Sequence, residues 1–228
     1  MIWVAAISLG IILFLLHFFS DALYIKKIEK RTHLKTFVAG ISLTYIFLHL
    51  IPQALPSENN ELFFAFFLVG FVIFNMFESM IYNIRSSKKR QRELKEEHAT
   101  AFFLYNFLLG VSILFFLRQD LFIGIIFFIP VALHALISAS ALREMHTLVK
   151  QNQGYRILLS ISTLLGMALA LIFALPENVS RSVIGFVAGS LLYIIFRDLI
   201  PKVNNCRMNY FLSGIFVMLV LLAISWIL

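Results

Sequence analysis

The sequence predicts an all-α fold: a polytopic membrane bundle of eight transmembrane helices. Three observations carry that reading. Of the 228 residues, 61% are hydrophobic and only 14% are charged, where a soluble domain has roughly 25% charged residues. The apolar residues fall into eight long blocks, at about 2–20, 37–55, 62–83, 100–117, 121–142, 157–176, 183–200 and 208–228. The basic residues concentrate in alternate connections between those blocks. A bilayer crossing takes about 20 residues, so eight crossings leave only short connections and no room for a soluble catalytic domain. The whole of 1–228 reads as a single transmembrane domain. The same composition excludes a disordered chain, and the one cysteine, Cys206, excludes an internal disulfide framework.

Taken in order, the first block has no basic leader and no small-residue cleavage site, so it reads as a retained span. The second ends in His49-Leu-Ile-Pro52-Gln53. The third carries Asn75 and Glu78 toward its end, three residues apart and hence on one face. The connection 84–99 is charge-dense and reads as a short cytoplasmic helix or an extension of a neighbouring span, a topology anchor or a contact for anionic headgroups. The fourth block is uninterrupted. Pro130 should kink the fifth and free a carbonyl, and His134 and Ser138 lie four apart beyond it. Gly166 with Ala170 in the sixth, and Gly185 with Gly189 in the seventh, are small-residue faces suited to close helix packing. The eighth is again uninterrupted.

Charge orients the chain. The first, third, fifth and seventh connections hold sixteen basic residues. The second, fourth and sixth hold only Arg118 and Arg181, and Arg197 lies inside a span. The positive-inside rule places the odd connections in the cytoplasm and both termini outside, in a plasma (inner) membrane. In a soluble protein the net charge of +7 would suggest nucleic acid; here topology explains it and no nucleic-acid partner is expected.

An internal repeat links the second and seventh blocks. Phe37-Val-Ala-Gly-Ile-Ser-Leu-Thr-Tyr-Ile-Phe-Leu-His-Leu-Ile-Pro-Gln53 aligns without gaps on Phe186-Val-Ala-Gly-Ser-Leu-Leu-Tyr-Ile-Ile-Phe-Arg-Asp-Leu-Ile-Pro-Lys202, with ten of seventeen positions identical. Five connections, an odd number, separate the two, so they run in opposite directions. Spans one to three then mirror six to eight around an insert of four and five, a 3+2+3 plan. Inverted repeats of this kind mark alternating-access transporters; an old duplication kept only for packing is the blander alternative.

These residues resemble the ZIP family of divalent-metal transporters. His49-Leu-Ile-Pro52-Gln53 is similar to the His-Leu-Leu-Pro-Glu-like end of that family's second span, and Ala188 to Pro201 to the pattern of its seventh. Gly70 through Glu78 is similar to a Gly-rich, Glu-terminated segment of its third. The resemblance implies eight spans, external termini and a metal path built on spans four and five. There the family carries His-Asn-x-x-Asp-Gly and His-Glu-x-Pro-His-Glu. This chain departs from both. It has Tyr105 and Leu109 around a retained Asn106, then Phe127, Phe128, Val131 and Ala132 around Pro130. Only Asn106 remains as a metal-site position, and one neutral amide oxygen cannot strip a divalent cation of its water.

Other polar residues remain in the spans, where they are costly and often functional. His49 and its repeat partner Asp198 fall at opposite mouths, as two gates would. His17, Glu78, His134 and Asp198 are the candidates for a cytoplasmic-side cluster able to hold a cation or relay a proton. The alternative for Asp198 or Glu78 is a structural ion pair with Arg197. No span offers a Ser–His, Asp–Asp or His-Glu-x-x-His constellation, so no enzyme is expected. The leading reading is a ZIP-like transporter, nominally for zinc-class divalent metal as substrate, with no resident cofactor. Its rivals are a transport-inactive paralogue acting as scaffold or regulator, and a carrier of a different, proton-coupled substrate. The bilayer is the expected partner, and a homodimer fits the scaffold reading.

Overall fold

The computed structural model describes residues 2–19, 28–54, 60–82, 87–144, 153–173, 175–200 and 207–227. All regular structure among them is helical, in eight helices. α1 is Ile2–Phe18. α2 is α-helical over Ile28–Tyr45, π-helical over Ile46–Leu50 and α-helical again over Ile51–Ala54. α3 is Asn60–Tyr82, α4 Ser87–Gln119, α5 Leu121–Glu144 and α6 Gln153–Ile172. α7 is α-helical over Glu177–Ile194 and π-helical over Ile195–Leu199. α8 is Met208–Ile227.

Four helical stretches are long and apolar enough to cross a bilayer: Lys30–Gln53, Ala99–Gln119, Glu177–Arg197 and Met208–Ile227. Four shorter apolar stretches, Ile2–Phe18, Glu61–Met76, Leu121–Ile137 and Ile157–Ile172, fall below that length among the described residues. α2 starts nine residues ahead of its apolar block, because the charged segment from Ile28 to Thr36 contains good helix formers. The charge-dense connection is likewise helical from Ser87 and runs into α4 without a break, giving 33 helical residues. At the other end of α4, Asp120 turns the chain directly into α5. Its Oδ1 accepts the backbone N–H groups of Phe122 at 2.7 Å and Ile123 at 3.2 Å, an N-cap that satisfies two orphan donors.

The principal pairings are α3 with α7, α2 with α8 and α4 with α6. Small residues set their spacing. A methyl on Gly40 of α2 would collide with the carbonyl oxygen of Phe211 in α8, and one on Gly214 of α8 with that of Phe37 in α2. On the other pair, Gly189 of α7 abuts the carbonyl of Phe67 in α3, and Gly70 of α3 that of Phe186 in α7. Gly110 and Gly166 face the carbonyls of Thr163 and Phe107 across α4 and α6 in the same reciprocal way. Such backbone-to-backbone approach replaces the hydrophobic drive that helices lack inside lipid.

The core lies where α2, α4, α5 and α7 meet. Ile41, Ile46, Ile113, Leu114, Leu117, Ile126, Val187 and Leu191 are all essentially inaccessible there. α8 buries little beyond Gly214, Met218 and Leu222. Large apolar side chains such as Trp3, Leu68, Phe216 and Trp226 are exposed on the outside, as a bundle solvated by hydrocarbon requires. Thr36 and Thr44 turn their hydroxyls back to the carbonyls of Thr32 and Gly40, both at 2.8 Å, which satisfies them within their own helix.

The two π-helical segments share a sequence context. A proline's ring clashes with the carbonyl four residues back and offers no N–H. Pro52 follows the segment in α2, and Pro201 follows the one in α7 in sequence. Each helix widens just ahead of its proline. The N–H of Ile51 bonds to the carbonyl of Ile46, and the N–H of Ile200 to that of Ile195 at 2.9 Å, both five residues back.

Candidate functional site

At mid-height the positions that the ZIP resemblance associates with metal are closed hydrocarbon. Leu109 is 1% exposed, Phe127 1% and Val131 2%, while Phe128 and Ala132 are half-buried. The Phe127 ring packs on Phe116 at 4.8 Å between centroids and on Tyr45 at 5.7 Å. Asn106 is buried and donates its amide to the carbonyl of Phe102, one turn back in α4, at 2.8 Å. Among the described residues, no group of three His, Cys, Asp or Glu side chains could hold a metal ion. Imidazole and carboxylate ligands are what a zinc-class cation requires, and this layer supplies none.

A tyrosine–histidine pair flanks the apolar layer on either side. On the side of the first π-helical segment, Tyr45 and His49 are buried with ring centroids 5.1 Å apart. The Gln53 amide nitrogen stands 3.1 Å from His49 Nε2 and donates to it in the tautomer protonated at Nδ1. Toward the other end, Tyr105 packs edge-on against His134 at 5.9 Å. His17 of α1 lies within electrostatic range of His134, as does Lys35 of α2. Its ring meets Phe102 at 5.0 Å. The hydroxyls of Tyr45 and Tyr105 and Nδ1 of His17 are buried without a hydrogen-bond partner among the described residues. On α5, Phe127, Val131 and His134 share one helix face. Seven residues, or about 10 Å at 1.5 Å per residue, thus separate the contact with Tyr45 from the contact with Tyr105.

Two open cavities lie beyond Phe116 at the Gln53 end. One, of about 240 Å³, is lined by Leu50, Gln53, Phe63, Phe115, Phe116, Gln119, Arg181 and Ile184. The second, of about 330 Å³, shares Phe115 and Gln119 and adds Val111, Arg118, Ala170, Leu175, Glu177 and Ser180. Arg181 directs Nε and Nη2 to a single oxygen, Oε1 of Glu177, at 3.1 and 2.6 Å.

Of the inner cluster expected from sequence, His17 and His134 are both buried, His17 against Phe102 and His134 against Tyr105. The side chains of Glu78, Ser138 and Asp198 lie outside the described residues. Asn75, placed with that cluster by its spacing, is exposed. His49 belongs to the opposite end. Sequence reasoning missed Tyr45, Gln119 and the placement of Arg118 and Arg181 beside the two cavities. A signal for the arginines was present: they are the only basic residues of the even connections. No protein-family profile matches the chain, and no curated protein sequence matches it.

Proposed function

We propose that the chain is an integral membrane transporter of ZIP-like architecture, a 3+2+3 inverted repeat whose nominal substrate is a zinc-class divalent metal and whose usual ligands are largely replaced. The observation that carries this reading is the placement of the two π-helical segments. Ile46–Leu50 and Ile195–Leu199 occupy identical positions in the aligned repeat, and the bonds Ile51 to Ile46 and Ile200 to Ile195 are the same bond in each copy. The glycine contacts support the same pairing. Phe37 and Gly40 against Phe211 and Gly214 correspond to Phe186 and Gly189 against Phe67 and Gly70. In this reading α1–α3 mirror α6–α8, with α4 and α5 between them, and discontinuous helices at a repeat interface are where such transporters bind substrate. The path runs among α2, α4, α5 and α7, with His49 and Asp198 at its mouths and Tyr105, Asn106 and His134 along it.

One observation favours a second reading, a transport-inactive paralogue acting as scaffold or regulator: the tight apolar packing of Leu109, Phe127 and Val131. Uptake of zinc, iron, manganese and cadmium into proteoliposomes, with and without a pH gradient, separates the two. Uptake above protein-free liposomes that falls in His134→Ala and Glu78→Gln, with Asn106→Ala mattering less, is expected of the transporter. Rates equal to protein-free liposomes for every ion under both conditions would overturn it in favour of the scaffold.

A further inference from the structure

The end of the bundle beyond Phe116 is poor in basic residues: its connections hold only Arg118 and Arg181, and both line the paired cavities. The floor of the smaller cavity is apolar and largely aromatic, made by Leu50, Phe63, Phe115, Phe116 and Ile184. Its polar wall is Gln53, Gln119 and Arg181, amides and a guanidinium, with no carboxylate lining it among the described residues. Where the resemblance puts an acid after the span-two proline, Gln53 presents a neutral amide.

Arg181 is three-quarters buried, yet both its bonds go to one oxygen of a Glu177 side chain that is 70% exposed. Nη1 makes no hydrogen bond among the described residues, which leaves a donor edge for a further acceptor. An ion pair with so exposed a carboxylate contributes at most about 1 kcal/mol, so a better-buried anion can displace it. A guanidinium fork suits a carboxylate or phosphate oxygen pair. Ligand pockets typically enclose about 300–1,000 Å³ with mostly apolar walls and a few convergent polar groups; the larger cavity reaches that size at about 330 Å³, and the smaller, at about 240 Å³, falls just below it.

We infer that this vestibule is a binding site for a small amphipathic monoanion, its apolar body against Phe63, Phe115 and Phe116 and its anionic group on Arg181 and Gln119. The site goes beyond the transport reading and binds its ligand whether or not the chain moves anything across the membrane.

Benzoate is a suitable probe, measured as radiolabelled ligand binding to the full-length protein in phosphatidylcholine nanodiscs. Saturable binding is expected, with the neutral isostere benzamide competing at least tenfold more weakly and benzylamine not competing. Arg181→Gln should weaken benzoate about tenfold or more, the scale of a charge-assisted bond, and Ile184→Trp should block the cavity. Glu177→Gln, which removes the internal competitor, should tighten binding, a gain that misfolding cannot imitate. Absence of saturable binding, equal competition by benzamide, or unchanged affinity in both Arg181→Gln and Glu177→Gln would overturn the assignment. Replacing part of the phosphatidylcholine by phosphatidylglycerol identifies the source of the anion. Displacement of benzoate points to a lipid headgroup and undiminished binding to a soluble anion, and both outcomes support the anion site.

Discussion

Single atoms set the distances between these helices. A hydrogen at Gly189 allows α7 to lie against the carbonyl of Phe67, and its methyl replacement would meet backbone, which cannot swing aside. At Gly10 the nearest atoms are instead the tips of flexible side chains, Leu164 Cδ2 and Met167 Sδ. Gly189→Ala is therefore expected to destabilise the protein by about 1–3 kcal/mol, the usual cost of overpacking, and Gly10→Ala by less. Thermal unfolding of the two variants in one detergent checks the order; equal losses would mean that side-chain and backbone neighbours yield alike. At this scale the sequence was informative about which residues matter and less so about how they meet. The Gly185–Gly189 face was visible, whereas the pairing of Phe67-Leu-Val-Gly70 with Phe211-Leu-Ser-Gly214 as matching segments of two spans was not recognised. Short apolar matches carry little information until the contacts give them a register.

Among the helices, α2 and α7 are the unusual ones. Their prolines were legible, but the widening ahead of them was not, because a π-helical turn uses the same apolar residues as an α-helical one. Helix boundaries diverged for a related reason. Apolar blocks mark what hydrocarbon will accept, while α2 and α4 continue through charged residues for as long as backbone hydrogen bonds can be made. Pro52→Ala restores an N–H and removes the ring, so 46–53 should relax toward a continuous α-helix. Slower amide exchange across that segment and a higher unfolding temperature are the expected results, together with slower transport if the widened turn serves as a hinge. Unchanged exchange would place the cause of the widening in the packing around α2 and not in the proline.

Across the whole molecule, the described residues form an all-helical assembly with four stretches long and apolar enough to cross a membrane, and its titratable groups stand on either side of an apolar layer. Composition made the membrane class plain. The apolar character of that layer was also legible, since Leu109, Phe127 and Val131 are hydrocarbon side chains within apolar blocks. The vestibule was not, because it is assembled from α2, α3, α4, α6 and α7 at residues with no spacing in common. The central question is whether the layer of Leu109, Phe127 and Val131 opens alternately to the two sides. The direct measurement is the accessibility of a single cysteine at position 109, made as Leu109→Cys with Cys206→Ser and probed with a membrane-impermeant methanethiosulfonate from each side of sealed vesicles. An alternating path gives slow but finite labelling from both sides. A folded protein labelled from neither side would contradict transport and leave a permanently closed bundle.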